Sequence, residues 1–307
     1  MFKGVVFKST GSWYSVKDIS NNKITECKIK GVFRLKGIKD TNPIAVGDEV
    51  EYEFIENDKT GVISKIFERK NYIIRQATNL SKQSHIIASN LDQILLIACI
   101  SKPRTSLGFI DRVLVTAESY HVPANIIFNK LDSYNDAELE HLNEITELYR
   151  KINYNVVHIS ATENINLDKV KDILKDKTSL IIGHSGVGKS SIINAIQPDL
   201  NLKIKPISSV HEKGMHSTTF AEMFELSFGG RIIDTPGIKE FGLFNTSKNE
   251  LAHRFPEMMK YVNKCKFNNC IHVNEPGCEV KKAVENGEIN YDRYYNYVKM
   301  LEDTNLF

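Results

Sequence analysis

The sequence has no long hydrophobic run. Its longest strongly apolar stretch, residues 94–100, is far shorter than the roughly 18 apolar residues that a transmembrane helix needs. The first residues, MFKGVVFK, also lack the extended apolar segment of a secretory signal peptide. We therefore expect a cytoplasmic protein that makes no contact with a membrane.

The net charge is small, cysteines are few, and the composition has no strong bias. The net charge of +2 does not indicate nucleic-acid binding by itself, because affinity for phosphate backbones depends on clustered lysine and arginine residues. The cysteine count of 5 is odd, and three cysteines share one short stretch, which favours a metal site in a reducing compartment over a disulfide framework. With 41% hydrophobic and 25% charged residues, the chain is expected to fold throughout.

Five short segments with alternating polarity occupy the first 70 or so residues. In one of them Val50, Tyr52 and Phe54 alternate with glutamates, which is the period of a half-buried strand. Five strands within this length predict a small closed barrel, of the oligonucleotide-binding (OB) type or, alternatively, of the SH3-like type.

Apolar strands then alternate with amphipathic helices. The strands are LDQILLIACI, ANIIFNK and VVHIS, and helices are predicted over residues 109–120 and 137–152. This alternation indicates a parallel sheet with helices on its faces, and thus an α/β fold. Beyond residue 244 no further strand is evident, and residues 291–302 are predicted to be helical.

The segment GHSGVGKS matches the phosphate-binding loop, because it follows an apolar strand and precedes the helical run SIINAI. Its backbone N–H groups are expected to surround phosphates at a helix N-terminus. Lys189 is expected to reach the β- and γ-phosphates, and the Ser190 hydroxyl to bind Mg²⁺. The predicted phosphate-binding residues are Gly183, His184, Ser185, Gly186, Val187, Gly188, Lys189, Ser190 and Ser191.

A base-binding motif, NKLD, follows the strand NIIF at the edge where parallel sheets bind ligands. The Asp132 carboxylate can accept hydrogen bonds from guanine N1–H and the exocyclic amine, neither of which adenine presents, and such buried bonds reject the wrong base by roughly 10⁴ or more. Lys130 is expected along the base plane, and Asn129 is expected to brace the neighbouring loops. Ser160 and Ala161 match the Ser-Ala element that contacts guanine O6, so GTP or GDP is favoured over ATP.

The remaining nucleotide motifs come after the phosphate loop. DTPG follows the strand GRIID, where Asp234 is expected to hold a water on Mg²⁺ and the Gly237 N–H to contact the γ-phosphate. Thr218, which is followed by Thr219, is expected to supply a second hydroxyl to Mg²⁺. Most GTPases have the base-binding motifs last, whereas here they come first, so the sheet is predicted to be circularly permuted.

Near the end of the chain, Cys265, Cys270, His272 and Cys278 have the spacing C-x4-C-x-H-x5-C. Three thiolates and one imidazole form a closed tetrahedral set that suits one structural zinc ion. Because so small a segment has little core, ligation worth about 10 to 16 kcal/mol in zinc-finger peptides is expected to supply much of its folding energy. Nearby cations are interleaved with four tyrosines, a combination that suits RNA, and about half of the tyrosines are expected to pack instead. The cations are Lys260, Lys264, Lys266, Lys281, Lys282, Arg293 and Lys299, and the tyrosines are Tyr291, Tyr294, Tyr295 and Tyr297.

Barrel, permuted motifs and metal spacing together resemble the ribosome small-subunit-dependent GTPase A family over nearly the whole chain. The resemblance implies a GTPase that hydrolyses GTP to GDP and phosphate, is stimulated by the 30S subunit, acts in its late maturation and binds 16S rRNA. We accordingly predict an OB-fold barrel over residues 1–72, a circularly permuted P-loop GTPase domain over 73–244 and a zinc-binding, mainly helical domain over 245–307. A monomer is expected.

Ile238 occupies the position where many GTPases have the glutamine that orients water, so hydrolysis by the isolated protein is expected to be slow. The resemblance implies that His216 takes this role, with Lys189 and Thr218 as its catalytic companions; the other interpretation of His216 is a surface residue. The family usually has three threonines after this histidine, and Ser217 departs from that pattern, which leaves Thr218 and Thr219 both open for Mg²⁺. The alternative function is a nucleotide-regulated RNA-binding module without significant turnover.

Overall fold

The structure, a computed structural model, describes residues 1–29, 43–56, 58–76, 84–202, 221–235 and 247–303. Within these ranges a β-barrel is followed by a mostly parallel sheet with flanking helices and then by a helical C-terminal segment. None of the helices described there has the length and apolar character needed to cross a bilayer.

Five strands close the N-terminal barrel. They are β1 Phe2–Ser9, β2 Tyr14–Asp18, β3 Ile24–Ile29, β4 Glu49–Ile55 and β5 Thr60–Ile66. Hydrogen bonds join them in the order β1-β2-β3-β5-β4 and back to β1, with β3 and β5 parallel and the other pairs antiparallel. This closed order is that of an OB fold, so the OB prediction is confirmed over the SH3-like alternative. Alternate residues such as Val16 and Val50 fill the interior.

A two-stranded hairpin lies between barrel and sheet and was missed by the sequence analysis. Its strands are β6 Tyr72–Gln76 and β7 Ser84–Ser89, which pair antiparallel. The register shifts between Ile73 and Ile74. A bulge of this kind interrupts the alternation of polarity by which strands are recognised in a sequence.

The central sheet has the strand order β10-β9-β8-β11-β13-β12, in which only the last pair is antiparallel. Its strands are β8 Gln93–Ala98, β9 Ala124–Phe128, β10 Asn155–His158, β11 Thr178–Ile182, β12 Glu222–Glu225 and β13 Arg231–Asp234. The helices are α1 Leu107–Ser119, α2 Asp136–Lys151, α3 Leu167–Leu174 and α4 Lys189–Ile196. Two apolar clusters lie on opposite faces, and β8 contributes Leu96 to one and Leu95 to the other. A strand covered on both faces is mostly apolar, which explains the hydrophobic run that follows Gln93 in β8.

The C-terminal segment consists of short helices around its own apolar cluster. Three 3-10 helices, Lys248–Arg254, Met258–Lys260 and Val262–Lys264, precede α5 Glu279–Glu285 and α6 Tyr291–Glu302. The bounds of α6 are those predicted from the sequence. Asn290 begins this helix by accepting hydrogen bonds from the Asp292 and Arg293 backbone N–H groups.

A buried ionic network fixes α6 to α1. The guanidinium of Arg293 lies 2.6 Å from the Asp111 carboxylate on α1 and 2.7 Å from that of Glu257. The Tyr149 hydroxyl and the Asn296 side-chain amide also donate to Asp111, at 2.7 and 2.6 Å. Because all the charges are buried and paired, this network joins the C-terminal segment to α1, as does the Arg112–Asp303 ion pair of 2.9 Å. Arg293 is therefore not the RNA-contacting cation that the sequence indicated.

A second buried pair fixes the barrel. Arg69 donates two hydrogen bonds of 2.6 Å to Asp48, and the Ser89 hydroxyl on β7 donates a third of 2.6 Å. Strand β1 also pairs with β12 at one position, where a backbone β-bridge between Lys8 and Glu222 connects the barrel to the central sheet. The barrel is therefore attached both at the hairpin and at the edge strand of the sheet.

Replacing Arg293 with Met is expected to lower the free energy of unfolding by about 3–5 kcal/mol, because two carboxylates stay buried without their cation. Urea denaturation followed by circular dichroism measures the change. Lys299→Met is the matched control, since its pair with Glu302 is exposed, screened by solvent and expected to contribute little to stability. Equal stability of the two variants would contradict the assigned role of Arg293.

Candidate functional site

The phosphate loop, residues 183–190, connects β11 to α4 at the carboxyl edge of the sheet. Two of its glycines are sterically required. A Cβ on Gly183 would lie 2.5 Å from the Ile97 carbonyl oxygen, and one on Gly188 would lie 2.3 Å from Asn129 Nδ2. Gly188 also has a backbone φ of +95°, which residues with a side chain rarely adopt. The loop is therefore packed closely between the end of β8 and the base-binding motif.

Lys189 lies at the start of α4 with its ammonium group folded over the loop. Its Nζ donates to the carbonyl oxygens of Gly183 and His184, at 2.6 and 2.9 Å. Burial lowers the pKa of Lys189, and the carboxylate of Asp234 opposes that shift. Asp234 ends β13, where it is in register with Ile181 of β11, and thus lies beside the loop. The remaining loop residues are Ser185 and Gly186, which are exposed, Val187, which is buried, and Ser190 and Ser191, which are half-buried.

Asn129 joins the loops that the sequence analysis assigned to nucleotide binding. Its Nδ2 donates to the Val187 carbonyl in the phosphate loop at 2.9 Å, and its Oδ1 accepts from the Ala161 N–H at 3.2 Å. The Ser160 hydroxyl donates to the Asp132 carboxylate, which fixes the direction of that carboxylate. The motifs 129–132, 160–161 and 183–190 therefore form one contiguous edge of the sheet.

Lys130 adopts a left-handed backbone conformation, with φ +70°. Its Nζ donates to the Lys102 carbonyl oxygen at 2.5 Å, which holds the side chain against the loop that follows β8. His216, Thr218, Thr219 and Gly237 lie outside the residues that the structure describes.

One contact at the phosphate loop was not foreseen. The His184 ring lies against Phe109 of α1, with ring centroids 3.9 Å apart. Burial lowers the pKa of His184, and the nearby Lys189 cation lowers it further, so the ring is neutral at pH 7. No local sequence signal pairs these two residues, because they meet only when α1 packs beside the loop.

The four predicted metal ligands converge. The Nδ1 of His272 lies 3.5 Å from Cys265 Sγ and 3.4 Å from Cys278 Sγ, and those two sulfurs are 3.9 Å apart. All four ligand atoms, including Cys270 Sγ, lie within 4.8 Å of one another. Zinc–sulfur bonds of about 2.3 Å require sulfur–sulfur edges of about 3.8 Å in a regular tetrahedron. The cluster therefore fits a structural zinc ion.

Side chains outside the ligand set shape the metal loop. The hydroxyls of Tyr294 and Tyr297 donate to the carbonyl oxygens of His272 and Ile271, each at 2.7 Å. The Glu275 carboxylate accepts from the Ile271 and Val273 N–H groups, both at 2.9 Å. No sequence pattern distinguishes Glu275 from an exposed glutamate. Tyr294 and Tyr297 pack in this segment, whereas the other two tyrosines, Tyr291 and Tyr295, are exposed.

A phosphate loop after β11 and a base-binding loop after β9, on a sheet whose motifs occur in rotated order, define a circularly permuted P-loop GTPase. Comparison with known protein families narrows this class. The RsgA GTPase domain matches residues 66–244, and the RsgA N-terminal domain matches residues 3–63. The chain belongs to the RsgA GTPase family.

Individual relatives agree with this assignment over nearly their full lengths. Two proteins named small ribosomal subunit biogenesis GTPase RsgA are similar to this chain. The one from Flavobacterium psychrophilum is 52% identical, covering 97% of this chain and 92% of the relative. The one from Christiangramia forsetii is 53% identical, covering 98% and 96%.

Two solved structures have the same fold. The crystal structure of YjeQ from Thermotoga maritima is 36% identical with a TM-score of 0.78, covering 98% of this chain and 97% of that one. YloQ, described as a circularly permuted GTPase, is 32% identical with a TM-score of 0.74, covering 98% and 94%. The predicted fold class and permutation are thereby confirmed.

Gly188→Ala is expected to weaken GDP binding about 10-fold or more, because the added Cβ displaces the Asn129 side chain and breaks its hydrogen bond to the phosphate loop. Titration with a fluorescent GDP analogue measures the affinity. Gly287→Ala is the control, because Gly287 has a similar φ of +75° but no atom within 4 Å of the added Cβ. Unchanged GDP affinity in Gly188→Ala would contradict the assigned contact.

Proposed function

We propose that this protein hydrolyses GTP to GDP and phosphate in the biogenesis of the small ribosomal subunit. The observation that carries the proposal is the junction at Asn129, which links the phosphate loop to the loop that holds Asp132. A nucleotide on this edge meets phosphate ligands at one end and a carboxylate suited to guanine at the other. The relatives named small ribosomal subunit biogenesis GTPase supply the biological context.

Each site residue has a proposed role. Asn129 braces the loops, Lys130 lies along the base, Asp132 binds guanine, and Ser160 and Ala161 complete the base site. Residues 183–191 surround the phosphates, with Lys189 on the β- and γ-phosphates. Ser190 and Thr218 bind Mg²⁺, which neutralises charge on the phosphates, and Asp234 holds a water on that ion. The Gly237 N–H contacts the γ-phosphate, and His216 orients the attacking water.

The proposed partner is the 30S subunit through its 16S rRNA, met in the cytoplasm by a monomeric protein. Paired lysine and aromatic side chains on two separate surfaces support RNA contact. On the barrel Lys28 lies 4.2 Å from the Trp13 ring centroid, and on α6 Lys299 lies 5.6 Å from that of Tyr295. We propose the division 1–72, 73–244 and 245–307 for the barrel, GTPase and zinc-binding domains.

The 30S subunit is expected to accelerate phosphate release strongly, within the range of about 10³ to 10⁵ seen when a partner completes a GTPase site. The measurement is multiple-turnover phosphate release with 30S subunits, with 50S subunits and with neither, at low and high salt. Only 30S subunits should accelerate release, and salt should weaken the effect as phosphate contacts are lost.

Lys189→Ala should abolish turnover in every condition, whereas Lys175→Ala, an exposed lysine of the same sheet region, should behave as the unaltered protein. His216→Ala should lose most of the 30S stimulation. GTP binding with no turnover in any condition would contradict the proposed GTPase activity and support the alternative function, a nucleotide-regulated RNA-binding module.

We further propose that Cys265, Cys270, His272 and Cys278 hold one zinc ion per chain. Cys270→Ser should lower zinc content, measured by atomic emission, and unfold the C-terminal segment, because ligation contributes about 10 to 16 kcal/mol in small zinc domains. Cys27→Ser is the control, since Cys27 lies inside the barrel and should leave the zinc content unchanged. Full occupancy in Cys270→Ser would exclude this ligand set.

A further inference from the structure

Tyr134 lies behind the base-binding loop, two residues after Asp132, and is buried in the central core. Its hydroxyl donates to the carbonyl oxygen of Asn129 at 2.5 Å and accepts from the backbone N–H of Ile100 at 3.0 Å. Burial raises the pKa of Tyr134, so the hydroxyl keeps the proton that it donates. One buried hydroxyl therefore joins the chain just beyond β9 to the chain just beyond β8.

The bond to Asn129 fixes a peptide that matters for the site. The accepting carbonyl belongs to the Asn129–Lys130 peptide, at the point where the chain turns into the left-handed conformation of Lys130. The orientation of this peptide sets the direction of the Asn129 carboxamide on one side and of the following loop on the other. Asp132 lies in the short 3-10 helix Leu131–Ser133 that begins there.

The bond to Ile100 fixes the neighbouring loop. The chain continues from Ile100 to Lys102, whose carbonyl oxygen accepts the hydrogen bond from Lys130 Nζ. Tyr134 and Lys130 therefore connect the same two loops, one from inside the core and the other at the surface. A shift of either loop alters the position of Lys130 and, through the loop backbone, of Asp132.

We propose that Tyr134 is a positioning residue for guanine selectivity, because its hydroxyl fixes the peptide from which the base-binding loop starts. This inference rests on the proposed function, since it concerns the same nucleotide site. Tyr134 is buried beneath the loop and acts through Asn129 and Lys130. Its loss should therefore reduce discrimination between bases more than it reduces binding of phosphates.

The test compares the affinities of GDP and inosine diphosphate (IDP), which lacks the exocyclic amine that Asp132 accepts from. Tyr134→Phe keeps the ring in the core but removes the hydroxyl, which leaves the Asn129 carbonyl and the Ile100 N–H without this partner. We expect the GDP preference over IDP to fall by about 10-fold, the effect of losing roughly one hydrogen bond to a charged group.

Tyr154→Phe is the matched control. Tyr154 is also buried, and its hydroxyl donates to the Glu118 carboxylate at 3.0 Å, away from the nucleotide motifs. Both variants should lose stability in thermal denaturation, but only Tyr134→Phe should change the GDP to IDP ratio. Incorporation of p-aminophenylalanine at position 134 restores a donor and should recover most of the preference.

The outcomes separate this inference from the function on which it rests. An unaltered protein that binds GDP and IDP equally would refute guanine recognition itself. A protein that prefers GDP, with the same preference in Tyr134→Phe, would overturn the role of Tyr134. A preference that falls equally in both phenylalanine variants, or that p-aminophenylalanine fails to restore, would also overturn it, because the effect would then be one of general stability.

Discussion

The Asn129 carboxamide makes the contacts on which the rest of the proposed nucleotide site depends. Its two hydrogen bonds join a loop after β9, a loop after β10 and the phosphate loop after β11. In the sheet β10 lies beside β9, and only β8 separates β9 from β11, so side chains far apart in sequence meet within one short edge. The circular permutation changes the chain connections and leaves this edge intact, because strand order and direction are preserved in space.

Much of the fold follows from sequence patterns that depend on local geometry. Period-2 alternation predicted the barrel strands, and helical periodicity predicted α6 with its bounds. The hairpin of β6 and β7 was missed because a bulge interrupts its alternation. The choice of OB over SH3-like topology depends on which strands pair, and pairing between distant strands has no local signal.

The candidate site, like the fold, has parts that sequence patterns predict and parts that they do not. Motif spacing predicted the metal cluster and the loops at the edge of the sheet, since glycines, thiols and carboxylates are chemically distinctive. The supporting roles of Tyr134, Glu275 and Arg293 were not predicted, because their hydrogen bonds and ion pairs exist only in the folded chain. A tyrosine or glutamate of this kind has the same appearance in a sequence as one that merely packs or faces solvent.

The two buried arginine–carboxylate pairs have a mechanical consequence. Asp48, which pairs with Arg69, also accepts from the Ser89 hydroxyl of the hairpin and so attaches the barrel. Arg293 with Asp111 and Glu257 attaches the C-terminal segment, and in both places the buried charges are costly to separate. The barrel and the C-terminal segment are therefore held to the central sheet by buried contacts, and not only by the connecting chain. A large partner that touches both ends at once meets surfaces whose separation is already set, so little orientational entropy is lost when the second contact forms. A partner whose two contact points had a different spacing would engage only one end.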